Sequence, residues 1–245
     1  MKPRTVAVIQ ARMGSTRLPG KVMMTIADRT ILTYLIWRIL KAQTLDEIIV
    51  ATTTDARDDV IVEECERNHV LFFRGSEPDV LGRYAGAAEA SNADIIVRVT
   101  ADNPFTDPDS IDRVVESIAS GGADYAIETR LPVGTTGEAL SRQALTLLDA
   151  VAHTQPWREH VTLYAKENPQ ALNCAFLEPR PGCDRPDLSF TVDKRDEYLY
   201  AKGLAEQLPG LSFGLKNLIA LADESLTVGA VYDRPPFSAH RAPLQ

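Results

Sequence analysis

Apolar positions fall in short runs, and these alternate with segments of helical period. Residues 5–10 (TVAVIQ) are β-branched and apolar on both faces, as in a strand buried between two layers. The runs at 46–54 (DEIIVATTT), 70–75 (VLFFRG) and 94–104 (DIIVRVTADNP) repeat that pattern. Between them, 31–42, 58–69 and 80–91 carry apolar residues three and four apart, which predicts helices. A fourth helix over 109–120 stops at Gly121-Gly122 and leads to a short strand, ADYAIE. Strict alternation of strand and helix predicts an α/β fold, a mostly parallel sheet with helices on both faces. Ligands of such sheets bind beyond the carboxyl ends of the strands. The polar clusters after the first, second and fourth strands should therefore meet on one rim.

Beyond residue 130 the alternation weakens. Residues 131–154 read as a loop and a helix, and 156–169 as another helix opening near Pro156. LSFTV (188–192) reads as a strand ending at Asp193, followed by a helix over 196–207. With no linker in sight, we expect one domain over 1–232, containing a distinct subregion at 130–173. The tail at 233–245 holds three prolines and little pattern, and is expected to be poorly ordered.

The formal net charge of −8 argues against a nucleic-acid partner, because binders of DNA or RNA present a basic face. It does not exclude a polyphosphate met by a local basic loop and a metal. Three cysteines without a CxxC pair predict reduced thiols rather than a disulfide or zinc framework. The opening apolar stretch is too short for a signal peptide, and no run approaches about 18 apolar residues. A cytoplasmic protein without a membrane span is the expectation.

The loop after the first strand, QARMGSTRLPGK (10–21), places Arg12, Arg17 and Lys21 among two glycines and two hydroxyls. Glycine lets backbone amides turn toward phosphate, and arginine and lysine supply a planar fork and a point charge. The loop is not a Walker motif, since Gly14 and Gly20 are one residue too far apart and Val22 follows Lys21. A GxGxxG fingerprint is also missing. Spacing alone leaves two readings open, a polyphosphate cradle and a solvated basic surface loop. Asp102 and Asp193, each after an apolar run, invite the same duality. They suit Mg²⁺, which takes carboxylate and phosphate oxygens, but Asp is also ordinary turn and helix-cap chemistry.

QARMGSTRLPGK resembles the signature loop of the CMP-sugar synthetase superfamily (acylneuraminate cytidylyltransferase-like), most closely its spore-coat polysaccharide cytidylyltransferase branch. FRGSEPDVLGRY (73–84), RVTADNPFTDP (98–108), EHVTLY (159–164) and FTVD (190–193) resemble further blocks of that branch in the same order. The resemblance implies a Rossmann-like nucleotidyltransferase fold, CTP as donor, a small anionic acceptor and a homodimer built through 130–173. It implies that Asp102 and Asp193 hold a catalytic Mg²⁺, with Asp102 also beside the nucleotide. It makes Gln10, Ala11, Arg12, Gly14, Ser15, Thr16, Arg17 and Lys21 the triphosphate loop. Of these, Arg12, Arg17 and Lys21 carry the catalytic charge. Thr52, from the hydroxyls ending the second strand, and Arg74, Ser76 and Arg83 are expected around ribose and base. Glu138, Glu159 and His160 are candidates for the acceptor side.

Two departures bear on the acceptor. The branch commonly reads TPED from the second aspartate, whereas this chain reads DKRDEY (193–198). It also commonly reads GLDVE where this chain has GTTGE (134–138), so an aspartate is missing. The acceptor classes left open are sugar acids and phosphonates. A glycosyltransferase consuming a nucleotide sugar and a non-catalytic nucleotide-binding protein are the competing classes. The first lacks its usual DxD here, and the second would predict eroded motifs.

Overall fold

A computed structural model describes residues 2–208 and 210–230. The tail at 233–245 lies outside the described residues. In chain order the elements are β1 (Thr5–Gln10), β2 (Thr25–Ile26), β3 (Arg29–Thr30), α1 (Ile31–Ile39), β4 (Glu47–Thr53), α2 (Asp59–Arg67), β5 (Leu71–Gly75) and α3 (Val80–Ala90). There follow β6 (Ile95–Thr100), α4 (Pro108–Ala119), β7 (Tyr125–Glu128), β8 (Glu138–Ser141), α5 (Arg142–Val151), α6 (Gln155–Glu159), α7 (Leu163–Glu167), β9 (Cys174–Leu177), α8 (Arg195–Gln207) and α9 (Leu215–Ala230).

Seven strands form one sheet in the order β5-β4-β1-β6-β8-β7-β9, and β2 and β3 pair as a separate small ribbon. β5, β4, β1 and β6 are mutually parallel, whereas β8 runs antiparallel between β6 and β7. The predicted α/β class and mostly parallel sheet are therefore present. The alternation within β1 sorts the core. Ala7 and Ile9 face α1, α2 and α4, while Val6 and Val8 face α3 and α5. A third apolar cluster joins α8 and α9 to Phe105, Phe190 and Val192. Arg38 of α1, fully buried, ties that helix to this cluster. Its guanidinium donates to the carbonyls of Thr106, Leu211 and Phe213 and lies 3.8 Å from the Phe213 ring centroid.

Three sequence expectations need correction. The segment LSFTV is extended but makes only one bridge, Val133 to Ser189, so it is not a strand of the main sheet. Its alternating Leu188, Phe190 and Val192 are buried in the third cluster instead. The single helix expected over 156–169 is two short ones, α6 and α7, interrupted around His160. The region read as loop and helix also contains β8 and, further on, β9, four residues each. All three cysteines are free thiols, as composition suggested. No described helix is long and apolar enough to cross a membrane.

Candidate active site

The loop after β1 is fixed by hydrogen bonds that the backbone itself offers. The carbonyl of Met13 accepts from the amides of Ser15 at 2.9 Å and Gly20 at 3.1 Å. Gly20 sits at φ +71°, in the left-handed region that glycine adopts without strain, and turns the chain into a short 3₁₀ turn that opens with Lys21. Behind the loop, the buried carboxylate of Asp58 accepts from the Met13 amide at 2.7 Å, the Thr53 amide at 3.2 Å and the Thr52 hydroxyl at 3.2 Å. A buried carboxylate with this many donors is an anchor for the loop.

The two aspartates converge. Asp102 follows β6 in a turn whose Ala101 amide bonds Gln10, at the end of β1. The 188–193 segment docks on this turn through Val192 N to Asp102 O, 2.8 Å, and on the neighbouring loop through the Val133–Leu188 and Phe190–Val133 bonds. Gly134 permits that approach. Its φ is +86°, and a Cβ there would stand 2.9 Å from the Thr191 amide. The result brings Asp102 and Asp193 to one cation. Lys21 Nζ donates to Asp102 Oδ2 and Asp193 Oδ1, both at 2.7 Å, and Arg17 reaches Asp193 Oδ2 at 2.7 Å. Neither carboxylate is a helix cap. The cap of α4 is Asp107, and at α8 it is Glu197 that accepts from the amides of Asp193 and Lys194. Lys21 is itself buried at 7% exposure, unlike a residue of a solvated surface loop, whereas the Arg17 side chain is 58% exposed.

A cleft of about 380 Å³ opens along this rim. Its lining includes Gln10, Ala11, Arg12, Ser15, Thr16, Arg17 and Lys21 from the loop, Arg83, Asp102 and Asp193, and Glu159 and His160 at the end of α6. Five predicted residues lie elsewhere. Thr52 is wholly buried and spends its hydroxyl on Asp58. Arg74 turns away to the carbonyls of Thr53 and Asp55 and to Asp59. Ser76 contributes its carbonyl to Arg83. Gly14 is not part of the lining, and a Cβ on it would meet Glu77 Oε1 at 2.8 Å. Glu138 is buried behind the cleft. It accepts from Arg98 Nη1 at 2.9 Å, Lys166 Nζ at 3.1 Å and the Tyr125 hydroxyl at 2.8 Å.

Arg98, Thr100 and Val80 line the cleft without having been singled out from the sequence. An arginine in the middle of an apolar strand, IIVRVT, is the signal that could have found the first. Burial works against its charge, but Glu138, with smaller contributions from Tyr84, Tyr125 and Asp102, outweighs it and raises its pKa. At Arg83, burial dominates and lowers the pKa. Buried polar atoms around the rim, Gln10 Oε1, Arg83 Nε, Arg98 Nε and Asn103 Oδ1, have no hydrogen-bond partner among the described residues. Five cations line the cleft against three carboxylates, a positive surplus of two in a chain of net charge −8. Such a local field gathers anions.

The donor set suits a divalent cation of the magnesium type. Two carboxylates already share one positive charge at 2.7 Å each. No cluster of three or more His, Cys, Asp or Glu ligands occurs among the described residues, so phosphate oxygens and water would complete the coordination.

The chain matches the cytidylyltransferase family model over residues 6–209. It is 36% identical over 222 residues to an uncharacterized protein of Methanocaldococcus jannaschii, covering 91% of each. It is 33% identical over 205 residues to the spore coat polysaccharide biosynthesis protein SpsF of Bacillus subtilis, covering 82% of this chain and 85% of that one. The solved structure of a cytidylyltransferase from Leptospira borgpetersenii superposes with a TM-score of 0.86 at 29% identity, covering 92% of this chain and 96% of that one. The protein belongs to the cytidylyltransferase family.

Proposed function

We propose that the cleft transfers CMP from CTP to a small anionic acceptor, a sugar acid or a phosphonate, with release of pyrophosphate and dependence on Mg²⁺. The observation that carries this reading is the meeting of Lys21, Arg17, Asp102 and Asp193 on the rim beyond β1 and β6. Cations for a triphosphate and carboxylates for its metal are thereby combined in one place. In the reaction, an acceptor oxygen attacks the α-phosphorus, the bond to the β-phosphate oxygen breaks, and pyrophosphate leaves with that electron pair. A hydroxyl acceptor gives its proton to solvent, whereas a phosphonate is already ionised. Arg17 and Lys21 hold the β- and γ-phosphates and offset the charge growing on the leaving group. Asp102 and Asp193 would hold Mg²⁺, whose charge would offset that of the α-phosphate. The protein's work is positioning and charge stabilisation rather than covalent chemistry.

The test is a pyrophosphate-release screen with Mg²⁺, each of the four nucleoside triphosphates, and a panel of sugar acids and phosphonates. Release with CTP and an acceptor of one class, abolished by EDTA, is the expected outcome. Release of a nucleoside diphosphate from a nucleotide sugar would instead identify a glycosyltransferase. A homodimer built through 130–173 in the cytoplasm completes the proposal, and sedimentation velocity reads the assembly.

A further inference from the structure

We propose that Arg98 receives the anionic group of the acceptor, and that Glu138 is the residue that aims it. The inference rests on the cytidylyltransferase reading of the cleft and adds which side chain meets the second substrate. Arg98 and Glu138 face each other in register on β6 and β8. Their side chains are 17% and 8% exposed, and only Arg98 reaches the cleft. Both oxygens of Glu138 are occupied, Oε1 by Arg98 and Lys166 and Oε2 by the Tyr125 hydroxyl. Glu138 therefore spends both oxygens inside the protein, although the family resemblance suggested an acceptor-side role for it.

Charge and geometry point the same way. One carboxylate serves two cations, so the cluster keeps one uncompensated positive charge, and the member open to the cleft is Arg98. Glu138 engages only Nη1. Nε is buried without a partner among the described residues. The planar guanidinium thus retains donors for a carboxylate or phosphonate, which accept such a fork in a bidentate manner. A buried donor left unpaired is costly, and an incoming anion would relieve that cost.

The position of Arg98 assigns it to the acceptor rather than to the triphosphate. The loop cations Arg17 and Lys21 are gathered on Asp193 and Asp102. Arg98 stands on β6, four residues before Asp102 in the turn that follows, and is anchored from β8 instead of from the loop. The cleft thus has two cationic poles, Arg17 and Lys21 on the loop after β1 and Arg98 on β6. A reaction that joins two anions needs a receptor for each.

The experiment saturates wild type and Arg98→Gln with a CTP analogue carrying a methylene in place of the α,β-bridging oxygen. Each is then titrated calorimetrically with N-acetylneuraminate, 3-deoxy-manno-octulosonate and methylphosphonate. At least one of these anions should bind the wild type, and Arg98→Gln should weaken it tenfold or more. The analogue's own affinity should change by less than about threefold. Arg98→Lys should recover part of the loss, and Glu138→Gln should weaken the anion but not the analogue. Equal weakening of the analogue would make Arg98 a nucleotide residue and overturn the proposal. So would an anion affinity unchanged by Arg98→Gln, or no binding of any of the three anions to analogue-saturated wild type. If the wild type does not bind the analogue, the cytidylyltransferase reading fails, a result distinct from these.

Discussion

The ammonium of Lys21 stands 2.7 Å from Asp102 Oδ2 and makes an equal contact with Asp193. This side chain fills the place of a cation between the two carboxylates. Lys21→Met should therefore free Asp102 and leave Asp193 with Arg17 alone. The variant is expected to bind Mn²⁺ at least tenfold more tightly than wild type in the absence of nucleotide, read by electron paramagnetic resonance. Its kcat/KM should fall by about ten- to a thousandfold, the range for loss of one charge-stabilising contact. Because the aspartates keep about a quarter of their side-chain exposure, the stability cost should stay near 1–2 kcal/mol. An unchanged Mn²⁺ affinity would show that the lysine does not compete for this position.

Asp102→Asn and Asp193→Asn should each remove most turnover and leave the melting temperature within a few degrees of wild type. Neither carboxylate caps a helix, so no helix loses its terminal hydrogen bonds. If both serve one ion, the double variant should be little worse than either single. Additive losses in kcat would separate their roles.

Asp58 gives a prediction about the loop rather than the chemistry. Asp58→Ala strips buried partners from the Met13 and Thr53 amides and the Thr52 hydroxyl. Unpaired buried donors cost about 1–3 kcal/mol each before relaxation, so a loss of about 2–4 kcal/mol is expected in chemical denaturation. Nucleotide affinity should fall with it, because the loop amides lose their fixed positions. Wild-type affinity in a stable Asp58→Ala protein would dissociate the loop from nucleotide binding.

Glu138 predicts a pH dependence. Burial opposes its ionisation, but Arg98, Lys166, Thr162 and Tyr125 together hold its pKa at about 2, below the ordinary 4.5. A group depressed on folding stabilises above its unfolded value and loses that contribution as pH falls toward its folded value. The contribution, about 3 kcal/mol, should thus be complete above pH 4.5 and disappear between pH 4.5 and 2. Glu138→Gln should flatten that part of the stability profile and cost about 3–5 kcal/mol at pH 7, because it leaves Arg98 without its counter-charge. Parallel profiles for the two proteins between pH 4.5 and 2 would refute the assignment.

The parallel half of the sheet and the rim were legible because they rest on long-range repetition. TVAVIQ coincides with β1, and the polar residues after β1 and β6 do meet. Asp193 arrives at the rim by another route than the one expected. Leu188, Phe190 and Val192 alternate as a strand would, but what they bury against is α8, α9 and Phe105. Local pattern encodes burial and not the hydrogen-bond partner, so the two cases look alike. β8 and β9 are too short for a period to show. Thr52 and Glu138 had the right neighbourhood in the chain, but their side chains serve Asp58 and Arg98 instead of the cleft. Contacts between buried polar groups are set by tertiary register, which no window of sequence contains.

Transfer of a cytidylyl group by this cleft can be followed with labelled CTP. With CTP carrying ³²P at the α-position, Mg²⁺ and the acceptor panel, label should move into an acceptor conjugate. The yield should match the pyrophosphate formed, and both should vanish with EDTA or in Asp193→Asn. Label that stays in CTP across the panel, or transfer that persists in EDTA and in Asp193→Asn alike, would contradict the account.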